Sequence, residues 1–107
     1  NFYRTERGYH PRSVNSNSDA SWPVTGMLPL NNMPILKYAA ELKAPALVVH
    51  GEIAHSSYFG EDAYKALGSK DKEHYIVPGV TNTDLYDNRT NKIPFDKFEQ
   101  FFKAKLK

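Results

Sequence analysis

Cysteine is absent from the 107 residues of this sequence, which excludes disulfide scaffolds, cysteine-ligated zinc sites and cysteine nucleophiles. Long apolar runs are missing as well. The longest, residues 44–49, has the length of a strand, whereas a membrane-spanning helix needs about 20 apolar residues. A strong excess of one charge is also lacking, since 14 Lys and Arg stand against 12 Asp and Glu. We therefore expect neither a membrane nor a nucleic acid as partner, and a cytoplasmic location is compatible with the lack of cysteine.

The composition changes near residue 32. Residues 1–32 are polar, contain an Asn/Ser cluster at residues 15–18 and are interrupted by Pro11, Pro23 and Pro29. This pattern predicts an irregular polar segment. A stretch of that length without regular structure is unusual inside a compact domain unless it packs on something else. We therefore expect the chain to be a segment of a larger domain.

Residues 33–107 have periodic apolar spacing. Helical periodicity predicts helices over 33–42, over 61–67 and from residue 94 onward, the last with Phe95, Phe98 and Phe102 as a core-facing stripe. Uninterrupted apolar or β-branched runs predict strands over 46–50 and 74–77. The order helix, strand, helix, strand, helix with short links predicts an α/β fold with parallel strands. Because two parallel strands leave their edges uncovered, we expect further strands beside them.

Two polar loops follow the predicted strands, at residues 51–58 and 78–88. In an open parallel sheet, the loops at the carboxyl ends of the strands surround the ligand crevice. These loops are therefore where we expect functional side chains.

The sequence also resembles the C-terminal part of α/β-hydrolases related to dienelactone hydrolases and esterases. The similarity covers nearly the whole chain, and its blocks follow in the same order. They are YRTERG (residues 3–8), HPRS (10–13), HGE (50–52), AHS (54–56), YF (58–59), VPG (77–79), DLYD (84–87) and IPFDK (93–97). The resemblance implies the last parallel strands and helices of a three-layer α/β/α sandwich.

Enzymes of this fold carry a nucleophile, an acid and a histidine in that chain order, with the nucleophile on a G-x-S-x-G elbow. That pentapeptide does not occur here. The resemblance implies an upstream part of the same domain that carries the elbow and the oxyanion hole, and we expect that part as the partner of this chain. It implies a small acyl substrate and requires neither a metal nor an organic cofactor.

The resemblance places the catalytic histidine at position 82, where this sequence has asparagine. Asn82 cannot accept a proton near neutral pH. Three explanations are open: the protein is naturally non-catalytic, residue 82 has been substituted, or another histidine serves. His55 is the candidate for that other base, although the resemblance favours a structural role for it.

The acid of the triad is a second departure from the pattern. Related enzymes place Asp two residues after the equivalent of Glu52, at a position where this chain has Ala54. Glu52 is the nearest carboxylate, and it serves either as the acid or as an acceptor for backbone amides. We expect structural roles for Asp84, Tyr86 and Asp87.

The remaining histidines do not indicate a metal site. His50, at the end of a buried strand, is expected to be packed, and His74 is expected to be solvated. His50 and His55 lack the i, i+4 spacing of a helical metal-binding pair. We expect a segment of a serine-type hydrolase that is inactive alone, and a non-catalytic binding or structural pseudo-hydrolase is the alternative.

Overall fold

The computed structural model describes residue 2, residues 5–12 and residues 24–106. The helices are α1 (Val24–Asn31), α2 (Ser57–Ala66) and α3 (Phe95–Lys105), and the strands are β1 (Ala46–Gly51) and β2 (Lys72–Val77). Short 3₁₀ helices lie at Ala39–Glu41 and Asn82–Leu85. The chain divides into two compact units, Asn1–Ile35 and Leu36–Lys107. In the described part of the chain, no helix has the length and hydrophobicity needed to cross a membrane.

The first unit contains a helix in the segment for which the sequence predicts none. Helix α1 includes Pro29, which cannot donate a backbone hydrogen bond, yet the helix closes with Asn32 N donating to Leu28 O at 3.1 Å. The apolar residues of α1 do not gather on one side of the helix, so no periodic pattern indicates it. The Asn/Ser cluster at residues 15–18, part of the predicted irregular segment, lies outside the described residues.

The predicted helix over 33–42 is wrong. Turns occupy residues 35–38, and only Ala39–Glu41 forms a short 3₁₀ helix, in which Leu42 N donates to Ala39 O at 3.2 Å. The side chains that gave the helical spacing, including Ile35 and Tyr38, are exposed. Because a short helix depends on burial of its apolar face, spacing alone did not stabilise one here.

The second unit is an α/β structure, as predicted. Strands β1 and β2 are parallel and pair from Ala46 with Lys72 to Gly51 with Val77. The predictions of both strands, of parallel pairing and of the C-terminal helix are confirmed. Helix α2 begins at Ser57 and ends at Ala66, whereas the spacing predicted a helix over 61–67.

The two helices that follow the strands lie on opposite faces of the sheet. Successive strand residues point to opposite faces. On one face, the Lys72 ammonium donates to the carbonyl of Tyr64 in α2 at 2.7 Å and to the carbonyl of Leu67, which directly follows α2, at 2.8 Å. On the other, Lys97 of α3 forms an ion pair with Glu73. The sheet is therefore a middle layer between α2 and α3.

The aromatic stripe of α3 is only partly buried. Phe101 is 5% exposed, but Phe95 and Phe102 are 57% and 54% exposed, so the prediction that they form core is wrong for the described residues. An open apolar groove of about 350 Å³ lies beside this face and is lined by Pro45, Leu47, Phe98, Phe101 and Phe102. Three other apolar residues, Ala54, Val77 and Val80, are buried at the carboxyl ends of the strands, and Val80 is 0% exposed.

Candidate functional site

The loops that follow β1 and β2 lie side by side and are joined through their backbones. Glu52 N donates to Val77 O, and Ile53 N donates to Val80 O, both at 3.0 Å. Gly51 makes this approach possible, because a Cβ at that position would lie 2.1 Å from Val80 O. The two polar loops therefore lie at the same edge of the sheet, and whether they carry functional side chains stays a prediction.

The Glu52 side chain adds a further connection between the loops. Its Oε2 accepts a hydrogen bond from Gly79 N at 2.8 Å. Gly79 has φ +64°, a left-handed conformation that glycine adopts without steric cost, and this conformation turns the chain out of β2. Of the two roles open to Glu52 in the sequence, the observed contact is the structural one. The role of Glu52 as the acid of a triad stays a prediction.

Asn82 begins the 3₁₀ helix Asn82–Leu85 directly after this turn and is half-buried. Its Nδ2 donates to the phenolic Oη of Tyr86 at 2.9 Å. Thr81 and Asp84 hold the start of the helix: Asp84 Oδ2 accepts from Thr81 N at 3.0 Å and from Thr81 Oγ1 at 2.6 Å. The backbone of residue 82 is thus fixed by a capping box, and its side chain by a phenol.

His55 lies exposed in the loop between β1 and α2. Within the described residues, the side-chain hydrogen bonds connect Asn82 to Tyr86 and Glu52 to Gly79. They do not connect His55, Glu52 and Asn82 to one another. Asp87, for which we expected a structural role, accepts from Arg89 N at 3.2 Å and forms an ion pair with the same arginine.

A second polar cluster lies between the sheet and α2. His50 Nε2 and His74 Nε2 are 2.7 Å apart, and the Tyr64 ring stacks on His74 with centroids 5.3 Å apart. His50 is packed as predicted, but His74 is half-buried, so its predicted solvation is wrong. Sequence reasoning missed the pair because it depends on the register that places Val48 beside His74.

The candidate ligand groups of the described residues do not gather into a metal-binding set. No cluster of three or more His, Asp or Glu side chains there has the arrangement to hold a metal ion. The His50 and His74 rings contact each other instead. The side chains of Glu52 and Asn82 at the loop ends form hydrogen bonds instead.

The sequence comparisons find relatives that are much longer than this chain. No family model matches. The chain is 50% identical over 106 residues to the uncharacterized protein PA2218 of Pseudomonas aeruginosa, an alignment that covers 98% of this chain and 28% of the relative. It is 38% identical over 48 residues to the uncharacterized protein YcjY of Escherichia coli K12, covering 45% of this chain and 16% of that protein.

A solved structure contains the same fold. The crystal structure of the hypothetical protein PA2218 from Pseudomonas aeruginosa matches 98% of this chain with a TM-score of 0.81 and 50% identity, and the match covers 32% of the crystallised chain. This chain therefore spans about a third or less of the relatives it matches.

Proposed function

We propose that this chain forms the C-terminal part of a serine-type α/β-hydrolase domain of the esterase and dienelactone hydrolase kind. The parallel strands between α2 and α3, and the functional loops at the carboxyl ends of those strands, support the proposal. The greater length of the similar protein PA2218 is compatible with a larger domain. Its substrate would be a small ester, lactone or related acyl compound.

The observation that carries the proposal is the position of residue 82. It follows β2 by a tight turn that is fastened to the loop after β1 through Glu52 and Ile53. A histidine there would stand at the edge of the sheet where this fold collects its triad. The backbone at residue 82 is fixed by the Thr81 and Asp84 contacts, as a proton-transfer group requires.

The proposed reaction is acyl transfer to a serine of the upstream part. That serine would attack the acyl carbonyl while an imidazole at position 82 takes the hydroxyl proton and returns it to the leaving alkoxide. An acid from the loop after β1, with Glu52 as candidate, would support the imidazole. With Asn82 in place the proton has no acceptor, and loss of the base of such a triad costs about 10⁶-fold in one protease. We therefore expect this sequence to be inactive as written.

The upstream part would complete the sheet and the groove. Among the described residues, β1 pairs with β2 on one edge only. The apolar groove containing Leu47, Phe98 and Phe102 lies on the same body. An added strand beside β1 with its own helix would cover this surface, and that part would also bring the serine and the oxyanion hole.

The test uses the full-length gene product with Asn82→His. We expect this variant to hydrolyse short-chain p-nitrophenyl esters and to be labelled by a serine-directed phosphonate, whereas the parent and Asn82→Gln stay unlabelled and inactive. Asn82→Gln is the matched control, because it alters the side chain without adding a base. A folded Asn82→His protein that neither turns over esters nor takes the label would refute the proposal.

A second candidate function keeps the fold without the chemistry. Asn82 is not a base, and its amide is already bonded to Tyr86, which suits a binding or structural pseudo-hydrolase. In that case the full-length parent protein should bind an acyl compound in the crevice without consuming it. Calorimetric titration with a lactone, followed by chromatography of the recovered ligand, separates this outcome from catalysis.

A further inference from the structure

A hydrogen bond from Asn82 to Tyr86 shows which side chain contacts the group at position 82. We propose that Tyr86 is the positioning residue for that group, a role that rests on the proposed function. Tyr86 would set the orientation and tautomer of an imidazole at this position, in place of Glu52. It acts through residue 82 and is not itself a catalytic residue.

Asparagine and histidine side chains both carry a nitrogen in the δ position. Nδ2 of asparagine is bonded to Cγ, and so is Nδ1 of histidine. A histidine at position 82 in the same rotamer would therefore present Nδ1 where Asn82 Nδ2 now donates to Tyr86 Oη at 2.9 Å. In a serine triad the Nδ1–H donates to the orienting group, and Nε2 faces the nucleophile. The phenolic oxygen thus occupies the place of the orienting acceptor.

The backbone at Tyr86 holds the phenol close to residue 82. Tyr86 follows the 3₁₀ helix in the right-handed helical conformation, and its N donates to Thr83 O at 3.3 Å. The other end of the same helix is held by Thr81 and Asp84. Residues 82 and 86 therefore belong to one locally fastened turn, across which Asn82 Nδ2 donates to Tyr86 Oη.

The Glu52 side chain contacts the turn that precedes residue 82. Its Oε2 is engaged with Gly79 N at 2.8 Å, across the turn that precedes residue 82. Glu52 therefore fixes the position of the turn, and Tyr86 contacts the side chain of residue 82. A neutral phenol can select the Nδ1–H tautomer but does not supply the negative charge that a carboxylate places beside an imidazolium.

The experiment measures the tautomer directly by ¹⁵N NMR of histidine-labelled full-length protein. The imidazole introduced by Asn82→His is identified as the signal absent from the parent. We expect it to carry its proton on Nδ1, and we expect Asn82→His/Tyr86→Phe to move most of the population to the Nε2–H form. Asn82→His/Tyr38→Phe is the matched control, since the Tyr38 ring is exposed elsewhere in the same unit.

Ester hydrolysis gives the second readout. In the Asn82→His background, Tyr86→Phe should lower kcat by about 10²-fold with KM changed less than about twofold. A misoriented imidazole slows proton transfer in the transition state and leaves substrate binding largely unchanged. Glu52→Gln should preserve the Nδ1–H tautomer. The proposal is overturned if Tyr86→Phe leaves the tautomer unchanged, or if Glu52→Gln moves the tautomer population as far as Tyr86→Phe does.

The two proposals fail in different ways. A tautomer that depends on Tyr86 in a protein without phosphonate labelling refutes the hydrolase function and retains the positioning contact. If Asn82→His does not fold, the contact is measured in the parent from the ¹⁵N-labelled side-chain amide of Asn82, assigned by its loss in Asn82→Asp. Tyr86→Phe should shift that amide signal and speed its hydrogen exchange, and an unchanged signal overturns the proposal.

Discussion

Replacing Gly51 by alanine should separate the loops that follow β1 and β2. The added Cβ would lie 2.1 Å from Val80 O and 2.7 Å from Val80 C, and both of those atoms are backbone that no side-chain rotation can move. Ordinary contact needs a separation greater by roughly 1 Å or more. The loop after β2 must therefore move away from β1, and it takes with it the acceptor of the Ile53 N hydrogen bond.

The expected cost follows from these two losses. Overpacking at a buried position costs about 1–3 kcal/mol, and loss of the Ile53 hydrogen bond costs about 1 kcal/mol more. Val80 is 0% exposed, so the surroundings have little room to relax. Gly51→Ala should therefore destabilise this region by about 2–4 kcal/mol, which corresponds to a 30-fold or greater rise in local opening.

Hydrogen exchange followed by mass spectrometry measures this opening in the full-length product. Peptides covering residues 46–56 and 77–86 should exchange about 30-fold faster or more in Gly51→Ala. The control is Gly79→Asn, because its Cβ would have no atom within 4 Å and asparagine tolerates the φ of +64°. Unchanged exchange in Gly51→Ala would mean that the close approach of Gly51 to Val80 is not a constraint in the protein.

Four further substitutions test the packing of the second unit through urea unfolding of the full-length product. His50→Ala and His74→Ala should show a coupling of at least about 0.5 kcal/mol, because either change alone removes the same Nε2 contact. Lys72→Met should cost about 1–2 kcal/mol, since the ammonium bonds two carbonyls near the end of α2 and the methionine keeps the apolar stem. Phe101→Ala should cost about 3–5 kcal/mol, as expected for a ring that is 5% exposed.

Each of these substitutions has its own contradicting result. Strict additivity of the two histidine variants would show that the rings do not interact. A Lys72→Met protein as stable as the parent would mean that water replaces the ammonium at the α2 carbonyls without loss. Phe95→Ala is the control for Phe101→Ala, because the Phe95 ring is 57% exposed. An equal loss of stability in both variants would contradict the burial of Phe101.

The strands and α3 could be predicted because their signals are local. Residues 46–50 form an uninterrupted apolar run, and α3 repeats phenylalanine at helical spacing. The helix expected over 33–42 had the same kind of signal and did not form, since Ile35 and Tyr38 found no covering surface in the described residues. Helix α1 formed without a periodic signal. The helical spacing therefore corresponds to a helix in α3, where Phe101 is buried, and to none over 33–42, where Ile35 and Tyr38 are exposed.

The candidate site was predictable in location but not in its contacts. The edge formed by the two loops follows from parallel pairing, and position 82 follows from the resemblance. The contact of Glu52 with Gly79 depends on a left-handed turn and on the strand register, neither of which a local pattern determines. The contact of Asn82 with Tyr86 depends on a short 3₁₀ helix inside a segment that reads only as a polar loop.

The side-chain contacts on the two faces of the sheet together prevent strand slippage. A shift of β2 by one residue would turn Lys72 and His74 toward α3, and Glu73 toward α2. The carbonyls of Tyr64 and Leu67 at the end of α2 would lose the Lys72 ammonium, and Lys97 would lose its carboxylate partner in the same step. Misalignment is therefore penalised on both faces at once. The first residue of the loop after β2 therefore has a fixed position relative to the end of β1.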